Sequence, residues 1–533
     1  MPRDLLGDSI LSSSKRFSNK KKTLINDSSE ARLSFVKLVV IAIFLVLMAS
    51  LIKTQVITGT YYRYLADNNR IRIVPIHAPR GVIFDRNEVP LTANLPSFRF
   101  NNQSISKDQA ITLESKGQLP EIDSTRSYLK AQAFTHLLGY VAESYDSHGV
   151  KIGHGGIEEF YQDKLKGVDG KEMIEVDAVG KRLRTVSTVD PKPGSNLILN
   201  IDSDIQKIAY DSLSGRKGAI IVSRPETGEI LALVSSPAFD PNIFTDLSVP
   251  VKERSEQINN LFTDKKEPMF NRAIAGTFPP GSTFKLVTAT AGLETGAITT
   301  QTKIEDTGVL IIGPYKFPNW KWLSSGGTDG WINVSEAIAK SNDIYFYKTG
   351  EMIGIDRLMA YAKKMGLGAK LGIDLPGEAR GLVEKNRDWY LGDTYHFAIG
   401  QGDLLVTPLQ DNFWTNVIAN GGKLCPPRVY GKGECKSLGI NSKTIEAVKK
   451  GMEAACTPGG TGYPLFGFKP QVACKTGTAE YGAGIFSTHA WFTSFAPIDK
   501  PEISVTVLVE QAGEGSDFAA PIAKKIYEKW FAK

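Results

Sequence analysis

The sequence predicts an α+β protein, with an N-terminal transmembrane helix and, later, an antiparallel sheet with helices packed on it. Three observations predict this class. The apolar run Phe35–Ile52 has about the length that crosses a bilayer. Two apolar segments, Ala219–Val222 and Ile230–Val234, flank a Pro-Glu-Thr-Gly turn and form a predicted hairpin. The strand Ile503–Val509 and the helix Ala519–Phe531 are predicted near the C-terminus, so strands enclose a helical middle.

Composition limits the kind of protein this is. The 533 residues are 42% hydrophobic and 23% charged, which is typical of a globular chain with two or three domains. The net charge of +6 is mild, and we find no basic patch interleaved with aromatic residues, which argues against nucleic-acid binding. The six histidines lack a metal-binding spacing, so the sequence predicts neither a metal nor a cofactor.

The four cysteines lie in the last quarter of the chain, and the sequence leaves their pairing open. None has the C-x-x-C spacing of a zinc site or a redox motif. Three disulfide connectivities are possible, and free buried thiols are the alternative. The four residues are Cys425, Cys435, Cys456 and Cys474.

Residues 1–32 form a polar tail that carries lysines and arginines just before the apolar run. The positive-inside rule therefore puts this tail in the cytoplasm. No convincing cleavage site follows, so we interpret residues 33–53 as an uncleaved signal-anchor, with a cleaved signal peptide as the alternative. Residues from 54 onward are then expected outside the cytoplasmic membrane, because no later stretch is apolar enough to span it.

The region 54–190 predicts a domain without catalytic residues. Val82–Phe84 is a short strand between turns, and the charges around it are expected on the surface. Residues 101–132 are polar and weakly patterned, which indicates a small or mobile subdomain. A helix start at Gly155 and a strand over Gly170–Asp177 follow. The Pro-Lys-Pro-Gly segment at 191–194 predicts a domain boundary.

The first motif with chemical meaning is the stretch around Ser282. A Pro-Pro-Gly turn leads directly into Ser282 at a predicted helix start, and Lys285 lies one turn later on the same face. A serine hydroxyl is a weak nucleophile until a base takes its proton, and a lysine with a lowered pKa can be that base. The helix N-terminus offers N–H groups to a developing oxyanion. Ser-x-x-Lys recurs elsewhere in the chain, for example at Ser127–Lys130, so the motif alone is weak.

The second motif, Ser341-Asn342-Asp343, lies between the predicted helices 335–340 and 344–348. The hydroxyl of Ser341 could relay a proton to a leaving group. Asp343, or Asn342 in another register, could bond Lys285 or the substrate backbone. Three polar residues between helices are more often only a turn or a cap.

The third motif is Lys475-Thr476-Gly477-Thr478, which follows a strand-like segment. Here a strand edge could present Lys475 to a carboxylate, while Gly477 lets a substrate backbone approach. The N–H of Thr478 could complete an oxyanion hole with that of Ser282. A second Lys-Thr-Gly, at 348–350, continues a predicted helix and is interpreted as structural.

These three motifs, in this order, resemble those of the penicillin-binding proteins. Two stretches of this chain are also similar to the non-catalytic pedestal of class B members. Aspartate at 343 and the segment Trp389–Thr394 resemble the elongation-type branch more than the septal branch. The further stretches of resemblance are Asn271–Ile274, Pro279–Gly281, Gly400–Gly402, Thr407–Gln410, His489–Phe492 and, in the pedestal, Arg80–Asn87 and Gly155–Tyr161.

The resemblance implies a domain organisation and a set of partners. It implies an elongated pedestal (dimerisation-type) domain over 54–190, with a shortened head at about 101–132, and a penicillin-binding transpeptidase domain over 191–533. The implied ligands are peptidoglycan stem peptides and β-lactams, and the implied partner is a glycan polymerase of the SEDS class in the membrane. Some relatives bind zinc near the second motif, but residues 316–340 contain no histidine or cysteine. The resemblance therefore implies no metal site in this chain.

The resemblance also implies a D,D-transpeptidase of cell-wall elongation and cell shape. Ser282 would attack the penultimate D-Ala of a stem peptide while Lys285 takes its proton. Ser341 would pass a proton to the departing D-Ala, and Lys475 and Thr476 would hold the substrate carboxylate. Penicillin would acylate the same serine. The alternatives are a septal transpeptidase, a β-lactam hydrolase or D,D-carboxypeptidase, and a non-enzymatic scaffold or sensor.

Overall fold

The computed structural model describes residues 27–101, 103–143, 151–177, 181–385, 387–481 and 488–532, without the side chains of 27–30 and 67–69. Most of the predicted cytoplasmic tail, residues 1–26, lies outside this part of the chain. The chain divides into two compact units. The first contains residues up to Arg72 together with Ile174–Arg184, and the second contains Ile73–Met173 and Thr185–Lys533.

The first unit contains the predicted membrane anchor. The helix Asp27–Ile52 continues as a π-helical turn, Lys53–Ile57, and is followed by the helix Gly59–Arg70. Ala31–Ile57 is the one segment within the described ranges that is long and apolar enough to cross a membrane. Its apolar side chains are exposed, as expected for a surface that faces lipid. The first unit is therefore consistent with a single-pass anchor.

Residues 101–132 are more regular than the sequence predicts. The strand Thr92–Phe100 pairs antiparallel with Gln103–Ile105 on one side and with Glu121–Tyr128 on the other. Between the last two strands lies the helix Lys107–Ser115, which Ser106 caps in a capping box with Gln109. The remaining elements before residue 200 are Ile71–Ile76, Ile83–Phe84, Ala131–Leu138, Tyr140–Glu143, Lys151–His154, Gly156–Phe160, Gln162–Leu165, Gly170–Val176, Arg182–Val189 and Leu197–Ile198.

Two of the charges near Val82–Phe84, those of Arg80 and Asp85, are buried, so the prediction that the charges lie on the surface is wrong for these two. Glu158 is 0% exposed, and one of its carboxylate oxygens accepts hydrogen bonds from Arg80 at 2.6 and 3.0 Å. The other oxygen accepts a 2.7 Å bond from Arg126. Asp85 is also fully buried and caps the following turn at the N–H groups of Asn87 and Val89. The two arginines and Glu158 lie tens of residues apart in the chain, so the local sequence did not reveal this cluster.

The sheet of the second unit has five strands, antiparallel throughout, in the order Ile230–Ser236, Gly218–Ser223, Ile503–Val509, Thr488–Ala496 and Ala473–Glu480. Because side chains alternate along a strand, the odd-numbered residues 503–509 pack with the helices Ser203–Leu213 and Gly515–Phe531. The helix Pro408–Ala419 lies on the opposite face, where Asn412 bonds Ser504 and Thr506. The predicted hairpin, late strand and C-terminal helix are all present.

A helical layer covers the face of the sheet that carries Pro408–Ala419, around an apolar core that includes Phe284, Phe346 and Trp414. The other elements of this part are Pro241–Phe244, Val251–Thr263, Gly281–Phe284, Lys285–Glu294, Ile304–Asp306, Val309–Ile312, Tyr315–Pro318, Trp320–Ser325, Gly330–Ile332, Val334–Lys340, Asp343–Ile353, Ile355–Lys364, Leu382–Val383, Leu391–Ala398, Leu404–Leu405, Lys423–Leu424, Lys436–Ser437, Ser442–Ala455 and Tyr463–Leu465.

Candidate active site

Ser282 lies in a 3₁₀ turn, Gly281–Phe284, that continues directly into the helix Lys285–Glu294. Gly281 has φ +55°, and a Cβ added there would lie 2.7 Å from the carbonyl oxygen of Thr478. A side chain at 281 would therefore force the turn away from the strand Ala473–Glu480. Glycine at this position lets the backbone of the Ser282 turn lie directly against Thr478.

Lys285 is 0% exposed, and its ammonium group contacts residues of the second motif. It donates to Asp343 Oδ1 at 2.6 Å and to the Ser341 carbonyl oxygen at 2.7 Å, and it lies 3.4 Å from Ser341 Oγ. Burial lowers the pKa of Lys285, and the charge of Asp343 opposes that effect. Lys285 is therefore a lysine whose proton is easier to remove than that of a lysine in water.

Ser341 lies between two lysines. Lys475 Nζ donates to Ser341 Oγ at 2.8 Å and to the carbonyl oxygen of the next residue, Thr476, at 2.9 Å. Lys475 is fully buried, and its pKa is well below the ordinary value because of burial and of the positive charge on Lys285. Ser341 ends the helix Val334–Lys340 in a left-handed conformation with φ +55°. The lysines of the first and third motifs therefore meet at the hydroxyl group of Ser341 in the second motif.

A buried polar cluster supports the second motif. The far oxygen of Asp343 accepts a 2.8 Å bond from the N–H of Trp320, and the N–H of Asp343 donates to Asn319 at 3.1 Å. Asp306 Oδ2 accepts bonds of 2.8 Å from the side-chain amides of both Asn319 and Asn342. Asp306 thus fixes Asn342 within the motif and Asn319, which bonds the backbone of Asp343. The sequence analysis missed Asp306 and Asn319, because neither lies in a recognisable pattern.

The same cluster contains a second carboxylate, Asp329. It accepts a 3.1 Å bond from Asn342 and a 2.6 Å bond from Lys321. The ammonium groups of Lys321 and, at 3.7 Å, Lys340 supply positive charge beside Asp329. In the described part of the chain, no group of three or more histidine, cysteine or acidic side chains is arranged to hold a metal ion.

The third motif lies on the strand Ala473–Glu480, at the edge of the sheet. A Cβ at Gly477 would lie 3.0 Å from Thr283 and 3.1 Å from the carbonyl of Pro280, so this strand packs tightly on the Ser282 turn. The indole of Trp491 donates a 3.0 Å bond to the carbonyl of Pro279 and joins the same surfaces. The other Lys-Thr-Gly lies inside the helix Asp343–Ile353, as predicted.

The four cysteines form two disulfides, one of the three pairings that the sequence allowed. Cys425 bonds Cys435, and Cys456 bonds Cys474. The first pair closes the hairpin of Lys423–Leu424 with Lys436–Ser437. The second pair ends directly before Lys475.

The Ser282 turn, together with the buried side chains of Lys285, Ser341 and Lys475, defines a serine acyl-transfer site, and comparison with known proteins gives the class. A model described as penicillin binding protein transpeptidase domain matches residues 218–528, and one described as penicillin-binding protein dimerisation domain matches residues 99–199. The chain belongs to the class B penicillin-binding proteins.

Within this family the similar proteins belong to the branch of penicillin-binding protein 2, called MrdA. The peptidoglycan D,D-transpeptidase MrdA of Acinetobacter baumannii is 31% identical, over 94% of this chain and 87% of the relative. That of Escherichia coli K12 is 29% identical, over 88% and 89%. The predicted elongation-type branch is confirmed.

Solved structures give the same result. The Pseudomonas aeruginosa PBP2 in complex with WCK 5153 is 32% identical, with a TM-score of 0.72, over 87% of this chain and 97% of that chain. PBP2 of Helicobacter pylori, in its complex with MreC, is 29% identical with a TM-score of 0.76, over 86% and 99%. The predicted fold class, a membrane helix followed by pedestal and transpeptidase domains, is confirmed.

Proposed function

We propose that this chain is a peptidoglycan D,D-transpeptidase of cell-wall elongation that acts through an acyl-enzyme on Ser282. The observation that carries the proposal is the convergence of Lys285 and Lys475 on the hydroxyl of Ser341, beside the turn that presents Ser282. The chemistry of the described side chains and the names of the relatives both support a serine acyltransferase.

In the first step Ser282 attacks the carbonyl carbon of the penultimate D-Ala of a stem peptide. Lys285 takes the hydroxyl proton, which its lowered pKa favours. The N–H groups of Ser282 and Thr478 bind the developing oxyanion, and each such donor typically contributes about 3–4 kcal/mol to the transition state. The glycine contact at residue 281 supports this pair of donors, because it brings Thr478 against the serine turn.

In the second step the bond to the terminal D-Ala breaks. Ser341 passes a proton to the departing nitrogen and is resupplied by the lysine ammonium groups that contact it. Lys475 and the hydroxyl of Thr476 hold the carboxylate of the terminal D-Ala, and Gly477 leaves room for the substrate backbone. An incoming carboxylate favours the protonated form of Lys475. The amine of a neighbouring stem then attacks the ester, forms the cross-link and frees Ser282.

The membrane arrangement belongs to the same proposal. Residues 1–32 are the cytoplasmic tail, 33–53 the anchor, 54–190 the pedestal with a shortened head at about 101–132, and 191–533 the transpeptidase domain. One solved relative is described as part of a peptidoglycan synthase complex that coordinates polymerization and crosslinking. We propose a SEDS-class glycan polymerase as the partner, contacting the anchor and the pedestal.

The test supplies the full-length protein, in detergent, with glycan strands that carry pentapeptide stems, together with the polymerase partner. The expected products are dimeric muropeptides and one released D-Ala per cross-link. Ser282→Ala should give neither product, while Ser127→Ala, which alters another Ser-x-x-Lys, should behave as wild type. Release of D-Ala without dimers would show a carboxypeptidase and contradict the proposal.

A further inference from the structure

The Cys456–Cys474 disulfide joins two elements beside the site. Cys456 follows the last residue of the helix Ser442–Ala455, and Cys474 is the second residue of the strand that carries the third motif. The two cysteines are 3% and 0% exposed. Cys474 directly precedes Lys475, so a covalent bond anchors the strand one residue from a proposed substrate-binding lysine.

The segment that follows Cys456 turns back over this disulfide. A Cβ at Gly462 would lie 2.6 Å from Cys474 Sγ and 2.8 Å from Cys456 Sγ, so Gly462 packs directly on both sulfur atoms. The N–H of Gly462 also donates a 2.7 Å bond to the carbonyl of Ala455. The position of residue 462 is therefore set by the disulfide and by the helix end together.

The residue before Gly462 makes the contact that matters for the site. Thr461 Oγ1 lies 2.7 Å from Thr476 Oγ1. Because side chains alternate along a strand, Cys474 and Thr476 lie on the same face and Lys475 on the other. The disulfide and the Thr461–Thr476 bond therefore attach one face of the strand to residues 456–462 on both sides of Lys475.

We propose that Cys456–Cys474 and Thr461 position the subsite that binds the substrate carboxylate. In this arrangement the hydroxyl of Thr461 donates to Thr476 Oγ1. The proton of the Thr476 hydroxyl is then free to be donated to a carboxylate, a charge-assisted hydrogen bond beside Lys475. Loss of the disulfide frees Gly462 and Thr461, and Thr476 loses the neighbour that fixes its orientation. The inference rests on the proposed function.

The test measures the second-order rate of acylation of the full-length protein by a fluorescent penicillin and by its methyl ester, which lacks the negative charge. We expect the double variant Cys456→Ala with Cys474→Ala to lose about tenfold or more with the acid and less than twofold with the ester. The loss should fall on the binding constant of the penicillin rather than on the acylation rate at saturation. The matched control, Cys425→Ala with Cys435→Ala, should keep the wild-type ratio of the two rates.

A second variant covers the case in which the double variant does not fold. Thr461→Val retains the disulfide and removes the hydroxyl, and it should lower the acid-to-ester ratio in the same direction. An unchanged ratio in Thr461→Val, or equal losses with acid and ester in the double variant, would overturn the inference. A wild-type protein that neither compound acylates would instead contradict the proposed function.

Discussion

Two buried clusters in the second unit have the same charge count and different chemistry. In the proposed pedestal, Arg80 and Arg126 both bond Glu158, and each carboxylate oxygen accepts from one arginine. In the candidate site, two lysines, Lys285 and Lys475, lie near the carboxylate of Asp343. Of these two, Lys285 bonds it. Lys475 contacts a hydroxyl and a carbonyl instead.

The difference separates a structural ion cluster from a reactive one. Arginine keeps its proton in proteins, so the two positive charges beside Glu158 are permanent. Lysine loses its proton when it is desolvated, and burial lowers the pKa of both lysines in the site. Among the described residues, Lys475 Nζ contacts a hydroxyl and a carbonyl and no carboxylate. We infer that the substrate supplies the missing anion.

The largest effect is expected for Lys285→Ala. Removal of the general base should slow acylation by a fluorescent penicillin about 10²- to 10⁴-fold. The wild-type rate should rise with pH as Lys285 loses its proton and level off below the ordinary lysine pKa, and the variant should lose this rise. Lys348→Ala, in the helical Lys-Thr-Gly, is the matched control and should acylate at the wild-type rate.

Glu158→Gln should break the pedestal cluster and spare the chemistry. Loss of one partner of a buried ion pair leaves uncompensated charge, so the free energy of unfolding should fall by about 3–5 kcal/mol. Chemical denaturation measures this change. The folded fraction should still be acylated at the wild-type rate. Glu226→Gln, which alters a pair with Lys423 at the surface, should change the free energy by less than about 1 kcal/mol; a similar loss in both variants would refute the distinction.

Asp306→Asn should slow acylation less than Lys285→Ala does and more than Glu158→Gln does. Asp306 holds Asn319 and Asn342, which flank the residue that bonds Lys285. A small displacement of Asp343 should slow acylation about 10- to 100-fold, because reactive groups tolerate little misplacement. The control is Asp356→Asn, which alters an exposed carboxylate near Lys385. Equal acylation rates in the two variants would show that Asp306 does not position Asp343 for acylation.

The smallest effect concerns a buried acid next to the Ser282 turn. Asp411 is fully buried among the hydroxyls of Thr283 and Thr493, which bond other groups, so its carboxyl oxygens have no partner among the described residues. Burial raises the pKa of Asp411 to about 7. Between pH 4 and 7 the unfolded chain therefore binds fewer protons at this residue, and stability falls as the pH rises.

Asp411→Asn removes that titration. Relative to wild type, the variant should gain stability steadily from pH 4 to 7 and no further above pH 7, which denaturation at a series of pH values measures. A difference between the two proteins that does not change with pH would show that Asp411 stays ionised in the folded state.

The sequence predicted the parts of the molecule that are local in the chain. The hairpin, the strand Ile503–Val509 and the helix that follows each have their own periodicity, and they fold as predicted. The order of the three motifs and their settings led to the family. The second motif left open a bond between Asp343 and Lys285, and the fold brings these two side chains together, whereas the contact of Lys475 with Ser341 was not predicted.

The contacts between residues that lie tens of positions apart in the chain were not predictable from local patterns. Arg126 and Glu158 look like ordinary surface charges until the fold brings them to Arg80. Asp306 lies 36 residues before the amide that it binds, at the end of the short strand Ile304–Asp306. The disulfide pairing was one choice of three, because spacing alone does not decide which cysteines meet.

The most direct measurement is covalent labelling of the full-length protein with a fluorescent penicillin, followed by peptide mapping and by a time course after the free penicillin is removed. The account predicts one label on Ser282 that persists for many minutes and is absent from Ser282→Ala. A label on another residue, a labelled Ser282→Ala protein, or a label on Ser282 that is lost within seconds would contradict it.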